Sequence, residues 1–190
     1  MRVIIATGIY PPDKGGAATA ALGVVQEAEL AGISYDVICY GSGQTEAHIV
    51  RVNHSFWIVR YFRFIRALNT RITSREDIII CTDITSAGLP ALILRLFRPF
   101  HLCIRFGGEK HWENVAVRSK ILLTLNEFWE RKPTFVSILY RYYYRIFFAF
   151  ADAIIVNSAF LKAALNRITL LPEAKTRVVE GIVPAAALDW

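Results

Sequence analysis

Short apolar runs alternate with helix-length segments along this chain. The runs Arg2 to Ala6, Tyr35 to Tyr40, Ile49 to Val52, Asp77 to Cys81, His101 to Arg105, Ala153 to Val156 and Arg177 to Val179 are mostly apolar at successive positions, not at every second one. Strands covered on both faces read that way, because neither side of the pleat meets water. Between the runs lie helical segments: Ala17 to Ala31 with Gly32 as its stop, Phe56 to Ile72, Thr85 to Phe97, two pieces between Ala116 and Phe150, and Ser158 to Arg167. Pro99 and Pro172 close two of these. Such alternation predicts an α/β fold, a parallel sheet with crossover helices on its faces. No internal repeat, low-complexity tract or linker interrupts residues 1–190, so the expectation is a single domain.

Composition narrows the class. At 190 residues the chain can bury roughly 70% of its unfolded surface. A net charge of +6, 13% aromatic residues and a mean hydropathy of +0.36 favour an acidic partner or a membrane surface. Cys39, Cys81 and Cys103 are odd in number, lack CxxC spacing and sit in or beside apolar runs, which reads as buried reduced thiols in a cytosolic protein. Pro11-Pro12 cuts short the N-terminal apolar run, against a secretory leader, and no stretch reaches about 18 consecutive apolar residues, so no span is expected.

Candidate chemistry follows from topology. In open α/β sheets, ligands bind beyond the carboxyl ends of the strands, where the strand-to-helix loops gather. Three loops qualify. The first, Gly8-Ile9-Tyr10-Pro11-Pro12-Asp13-Lys14-Gly15-Gly16, has prolines that stiffen the approach and glycines that bring main-chain N–H groups close to an anion at a helix start, most plausibly a phosphate. The second runs Thr82-Asp83-Ile84-Thr85-Ser86-Ala87-Gly88, and the third Phe106-Gly107-Gly108-Glu109-Lys110-His111-Trp112-Glu113. The third is richest: a carboxylate there can act as a base or orient a sugar hydroxyl, and Trp112 can stack on a sugar or a base. Plainer readings stand beside each. The Gly-Gly pair matches neither GxGxxG nor the phosphate-binding GxxxxGK[ST]. Thr85 or Ser86 can simply cap the next helix with Asp83 solvated nearby, His111 can be a structural histidine, and Trp112 and Glu113 can merely begin a helix.

Taken together, Tyr10-Pro11-Pro12 with Gly15-Gly16, Gly107-Gly108-Glu109 with Trp112-Glu113, and Ala151-Asp152-Ala153-Ile154-Ile155-Val156-Asn157-Ser158 resemble the N-terminal half of retaining glycosyltransferases of the GT-B fold, family 4. Arg177-Val178-Val179-Glu180-Gly181-Ile182 looks like the family's last strand of this domain, with Glu180 where Asn is usual. The resemblance implies a Rossmann-like parallel sheet sandwiched by helices, one half of a GT-B fold, binding a glycan or lipid-linked acceptor. It implies that Gly15 and Gly16 approach the diphosphate of a nucleotide-sugar donor and that Glu109, in the place of the family's Asp, is catalytic together with His111. Lys14, Asp83, Arg105, Lys110, Trp112 and Glu113 are then acceptor-side residues. No cofactor or metal is implied, and the sequence has no Asp-x-Asp. A second, donor-binding domain has no counterpart in these residues, so the expectation is one lobe of a hexosyltransferase, incomplete without a donor-binding domain or subunit.

Two segments bear on location. In Phe56 to Leu68, helical spacing puts Ile58, Tyr61, Phe62, Ile65 and Leu68 on one face and Arg60 and Arg63, with Arg71 beyond, on the other. Phe135 to Phe150 is apolar on nearly every side around Arg141 and Arg145, as in a deeply buried helix or one lying in a membrane interface. The expected setting is cytoplasmic, in polysaccharide or glycolipid biosynthesis; plain core packing is the first reading of these two segments and contact with the inner face of the cell membrane the second. The alternative is a non-catalytic α/β binding or peripheral membrane-docking module. A nucleic-acid partner is not expected, since the arginines alternate with apolar residues and form no phosphate-tracking stripe.

Overall fold

The computed structural model describes residues 1–42, 46–53, 56–119, 123–169 and 171–180; the side chains of Lys110 and Ser119 are outside that description, as is the expected Gly181-Ile182. Among these residues seven strands form one parallel sheet in the order β3-β2-β1-β4-β5-β6-β7. The strands are β1 (Val3–Thr7), β2 (Tyr35–Tyr40), β3 (Ile49–Val52), β4 (Ile78–Cys81), β5 (His101–Phe106), β6 (Ala153–Val156) and β7 (Thr176–Val178). The sheet is thus the Rossmann-like α/β arrangement expected of half a GT-B fold. Chain direction across it reverses between β1 and β4, which places a switch point there. Thr82 just past β4 donates its hydroxyl to the Thr7 hydroxyl (2.7 Å), closing that seam with both side chains buried.

Alternate strand residues feed two cores. Val3, Ile5, Val37 and Cys39 pack under helix α1 (Gly16–Leu30) through Ala21 and Val25. The larger core joins Ile4, Ile38, Ile79, Leu102, Ile104 and Ile154 to α2 (Trp57–Arg71), α3 (Leu89–Arg95), α6 (Phe135–Phe150) and α7 (Ala159–Thr169). Two shorter helices, α4 (Lys110–Ser119) and α5 (Leu125–Glu130), lie between β5 and α6. All three cysteines are buried and free, and desolvation pushes the Cys39 and Cys103 thiols up to about 11, which leaves them protonated and inert.

Three departures from the expected elements have local causes. The helix expected from Ala116 begins at Lys110, because the Glu109 carboxylate accepts from the amides of His111 (2.9 Å) and Trp112 (2.6 Å) and so caps a helix inside the supposed loop. Where two pieces were expected, three helices occur: Thr124 and Glu127 form a capping box that starts α5, and Pro133 separates it from α6, which Thr134 caps. Thr85 to Phe97 is likewise not one regular helix. Asp83 caps a widened π turn (Ile84–Gly88), accepting from Ser86 N (2.5 Å) and Ala87 N (3.2 Å), before α3 begins.

Candidate functional site

The carboxyl ends of β1, β4, β5 and β6 surround a cleft of about 430 Å³ at the switch point. Its walls come from Gly16 and Ala17 at the start of α1, from Thr82 to Thr85 after β4, from Arg105 to Gly108 at the end of β5, and from Asn157 after β6. Tyr140, Tyr143 and Tyr144 of α6 and Glu113 of α4 complete it. All three polar loops read from the sequence therefore open on one edge.

The glycines work by closeness. Gly15 has φ of 155° and caps α1 without a side-chain bond, so the first-turn amides of that helix face outward. A methyl on Gly107 would stand 2.7 Å from the Arg105 guanidinium, and one on Gly108 would stand 2.1 Å from Glu113 Oε1. Bare backbone at these two positions is what lets Arg105 and Glu113 fold in beside the loop. Asn157 donates to Gly107 O (2.9 Å) and fixes that loop from β6.

Arg105 is the cation of the cleft. It is half-buried, its guanidinium makes no hydrogen bond or ion pair with any described residue, and desolvation lowers it from the ordinary arginine value. A guanidinium stays protonated even so, and a dehydrated cation without a counter-charge favours an anion brought to it.

Other expected residues are placed differently. Glu109 is only 1% exposed and receives four donors: the His111 and Trp112 amides, Trp129 Nε1 (3.2 Å) and the Tyr144 hydroxyl. Its oxygens are engaged in holding α4, α5 and α6 together, which leaves it a helix cap in this geometry and not a free base. His111 lies behind the cleft, stacked on Tyr140 (4.5 Å) and edge-on to Phe128 and Trp129, with Nε2 buried and without a hydrogen-bond partner among the described residues. Burial lowers its pKa and the nearby Glu109 charge opposes that. Trp112 donates Nε1 to Leu123 O (2.8 Å) and, with Glu109, borders a neighbouring hollow that shares Gly107, Gly108, Glu113 and Asn157 with the cleft. Asp83 lines the cleft but is committed to the π turn and to Gly8 N (2.8 Å). Lys14 is exposed on the first loop, away from the cleft lining, and Lys110 opens α4.

The cleft also includes residues the motifs did not single out for it: Asn157, Thr82 and the three tyrosines. Tyr140, Tyr143 and Tyr144 stand at i, i+3 and i+4 and so share one helix face, a signal present in the sequence. Asp152 has a structural task, accepting from Leu102 N (2.8 Å) and from both ends of the Arg95 fork (2.6 and 2.8 Å).

The family model for Glycosyltransferase Family 4 matches residues 14–186. This chain belongs to that family. No curated protein matches it. Within a family 4 glycosyltransferase domain, binding of a sugar donor and an acceptor is the expected work, and the cleft carries the family-matched Gly16 on one wall and Gly107-Gly108 on another. Among the described residues no helix is long and apolar enough to cross a membrane.

Proposed function

We propose that the cleft is the acceptor side of a sugar-transfer site, facing a nucleotide-sugar donor whose diphosphate lies against the start of α1. The observation that carries this reading is a convergence of positive potential: the N-terminus of α1, without a side-chain cap, and Arg105, whose guanidinium is unpaired among the described residues, both border one cavity. In transfer, the bond from the anomeric carbon to the diphosphate oxygen breaks while the acceptor oxygen bonds to that carbon, negative charge grows on the leaving diphosphate, and the acceptor hydroxyl's proton passes to the diphosphate oxygen that leaves. Helix-terminal amides aimed at that charge stabilise the transition state. Arg105 then holds the acceptor, and Glu113, Asn157 and the Tyr140 hydroxyl supply partners for sugar hydroxyls. Glu109 and His111 act as positioning residues, setting where α4 and Tyr144 stand. The product is a glycan or glycolipid made on the cytoplasmic side, with the donor's nucleotide held by a donor-binding domain or subunit.

The test is sugar transfer by the complete protein as its source cells make it, comparing wild type with Arg105→Ala and Gly16→Val. Both should lose about 100-fold or more in kcat/KM, the scale for removing one preorganised electrostatic contact, with melting temperatures close to wild type. Glu109→Gln, by contrast, should lower the melting temperature along with activity and leave the pH profile of kcat unmoved, as a positioning role requires. Full transfer by both cleft variants would overturn the assignment of Arg105 and Gly16 to the site, whereas absence of transfer by the complete wild-type protein would leave the chain a non-catalytic binding module.

A further inference from the structure

The outer face of α6 carries a stripe of exposed apolar side chains. Phe135, Ile138, Leu139, Tyr142, Ile146 and Phe150 recur at helical spacing and all point outward; Phe135 is 82% exposed, Leu139 59% and Ile146 51%. The inner face of the same helix carries Tyr144, Phe147 and Phe148 in the core and, through Tyr140, Tyr143 and Tyr144, the roof of the cleft. One helix therefore presents apolar side chains to the outside and cleft-lining tyrosines to the inside. Helix α2 contributes beside it. Its outward residues include Ile58, Val59 and Phe62 (71% exposed), and Phe56 and Trp57 stand exposed at its start. Tyr61 of α2 and Tyr143 of α6 donate to the adjacent carbonyls of Thr85 (3.0 Å) and Ile84 (3.1 Å), so the two helices flank the same π turn.

Charge indicates what covers this face. Helices α2 and α6 contain six arginines and no Asp or Glu. Arg63, Arg66 and Arg145 are solvent-exposed among the apolar side chains, and Arg145 lies over the Tyr142 ring. A second copy docked on this stripe through a two-fold axis would set the same arginines against themselves. A bilayer with anionic headgroups accepts aromatic and aliphatic side chains at acyl depth and arginines at headgroup depth together. We propose that the outer stripe of α6 and the aromatic start of α2 form a docking surface for an anionic lipid bilayer, which brings the cleft to the membrane and makes its acceptor an amphiphile held in that bilayer. The membrane contact stands on these two helices alone; the acceptor class rests on the function proposed above.

Co-sedimentation of the complete protein with phosphatidylglycerol–phosphatidylcholine vesicles, and with phosphatidylcholine alone, tests the surface. Wild type should bind the anionic vesicles, and Leu139→Glu with Ile146→Glu should weaken partitioning by about tenfold or more without lowering the melting temperature, since both side chains are exposed. Arg63→Ala with Arg66→Ala should weaken binding at low salt and make its remaining loss with rising salt shallower than in wild type, and Arg105→Ala should bind vesicles as wild type does. Equal sedimentation of wild type and the Leu139/Ile146 variant, or no sedimentation of either, overturns the docking surface. So does sedimentation velocity showing a dimer that this variant splits in the absence of vesicles. Transfer by the vesicle-bound wild type only to water-soluble acceptors would overturn the acceptor class and leave the docking surface standing.

Discussion

Glu109 and His111 are two residues apart, share one cage of aromatic rings, and have opposite needs there. The carboxylate is fully satisfied by four donors, whereas the imidazole keeps a buried nitrogen without a hydrogen-bond partner among the described residues. Burial disfavours the imidazolium more than the Glu109 charge favours it, so His111 titrates below its ordinary value of 6.5. The folded chain then binds fewer protons than the unfolded one as pH falls through that value, and stability declines below about pH 6.5. The expected result is a urea midpoint that drops between pH 7.5 and 5.5 in wild type and drops less in His111→Phe. An equal drop in both would place the pH dependence elsewhere. Both residues were legible as a notable pair in a polar loop, but their roles were not, since nothing local announces that Trp129 and Tyr144 arrive from other helices to enclose them.

At the scale of elements, three tyrosines hold the loop after β4. The hydroxyls of Tyr143, Tyr61 and Tyr40 donate to three successive carbonyls, those of Ile84, Thr85 and Ser86, at 3.0 to 3.1 Å. These carbonyls belong to the π turn, whose wider winding leaves them turned away from the regular helical ladder. Helices α2 and α6 and strand β2 thus converge on one five-residue turn that forms the floor of the cleft. Tyr61→Phe and Tyr143→Phe should each cost about 1 kcal/mol, with faster amide exchange concentrated in residues 84–88. Exchange raised uniformly over the chain would show that the turn does not depend on these bonds. The strands were the most legible elements: Tyr35–Tyr40, Ile49–Val52 and Ala153–Val156 occur as read, because continuous apolar runs in a doubly covered sheet have few other uses. The π turn was hidden, and the early start of α4 was read only as the plainer alternative for Trp112 and Glu113, since each depends on a carboxylate, Asp83 or Glu109, accepting amide bonds a few residues ahead.

For the molecule as a whole, the larger core decides stability. Phe64, Phe147 and Phe148 are its largest fully buried side chains, and they tie α2 and α6 to the sheet. Phe148→Ala should cost about 3–5 kcal/mol by leaving a cavity under α6, measured as a shifted denaturant midpoint with unchanged slope. A loss under about 1 kcal/mol would mean that the neighbouring rings Phe106 and Tyr144, which contact it at 5.8 and 6.3 Å, close the gap. One expected helix face differs at this scale. Ile58, Tyr61, Phe62, Ile65 and Leu68 were read as one apolar face of α2, but the buried positions are Phe64 and Leu68, and Ile58 and Phe62 are exposed. Periodicity gives a face to within a residue or two; which edge of it meets the sheet depends on the neighbouring α3.

The amino-acid pattern by itself determined the α/β class, the strands, the gathering of three polar loops on one edge, and the likeness to family 4 glycosyltransferases. Those features follow from local hydrophobic runs and from the rule that parallel strands send their loops to the carboxyl edge. Tertiary structure alone decided which polar side chains stay available. Asp83 and Glu109 spend their oxygens on amides and ring donors, the Arg105 guanidinium finds no partner among the described residues, and the apolar face of α6 that was readable as core lies open to the outside. The reason is that a side chain's availability depends on donors, charges and surfaces brought from distant parts of the chain, and no local window of sequence contains them.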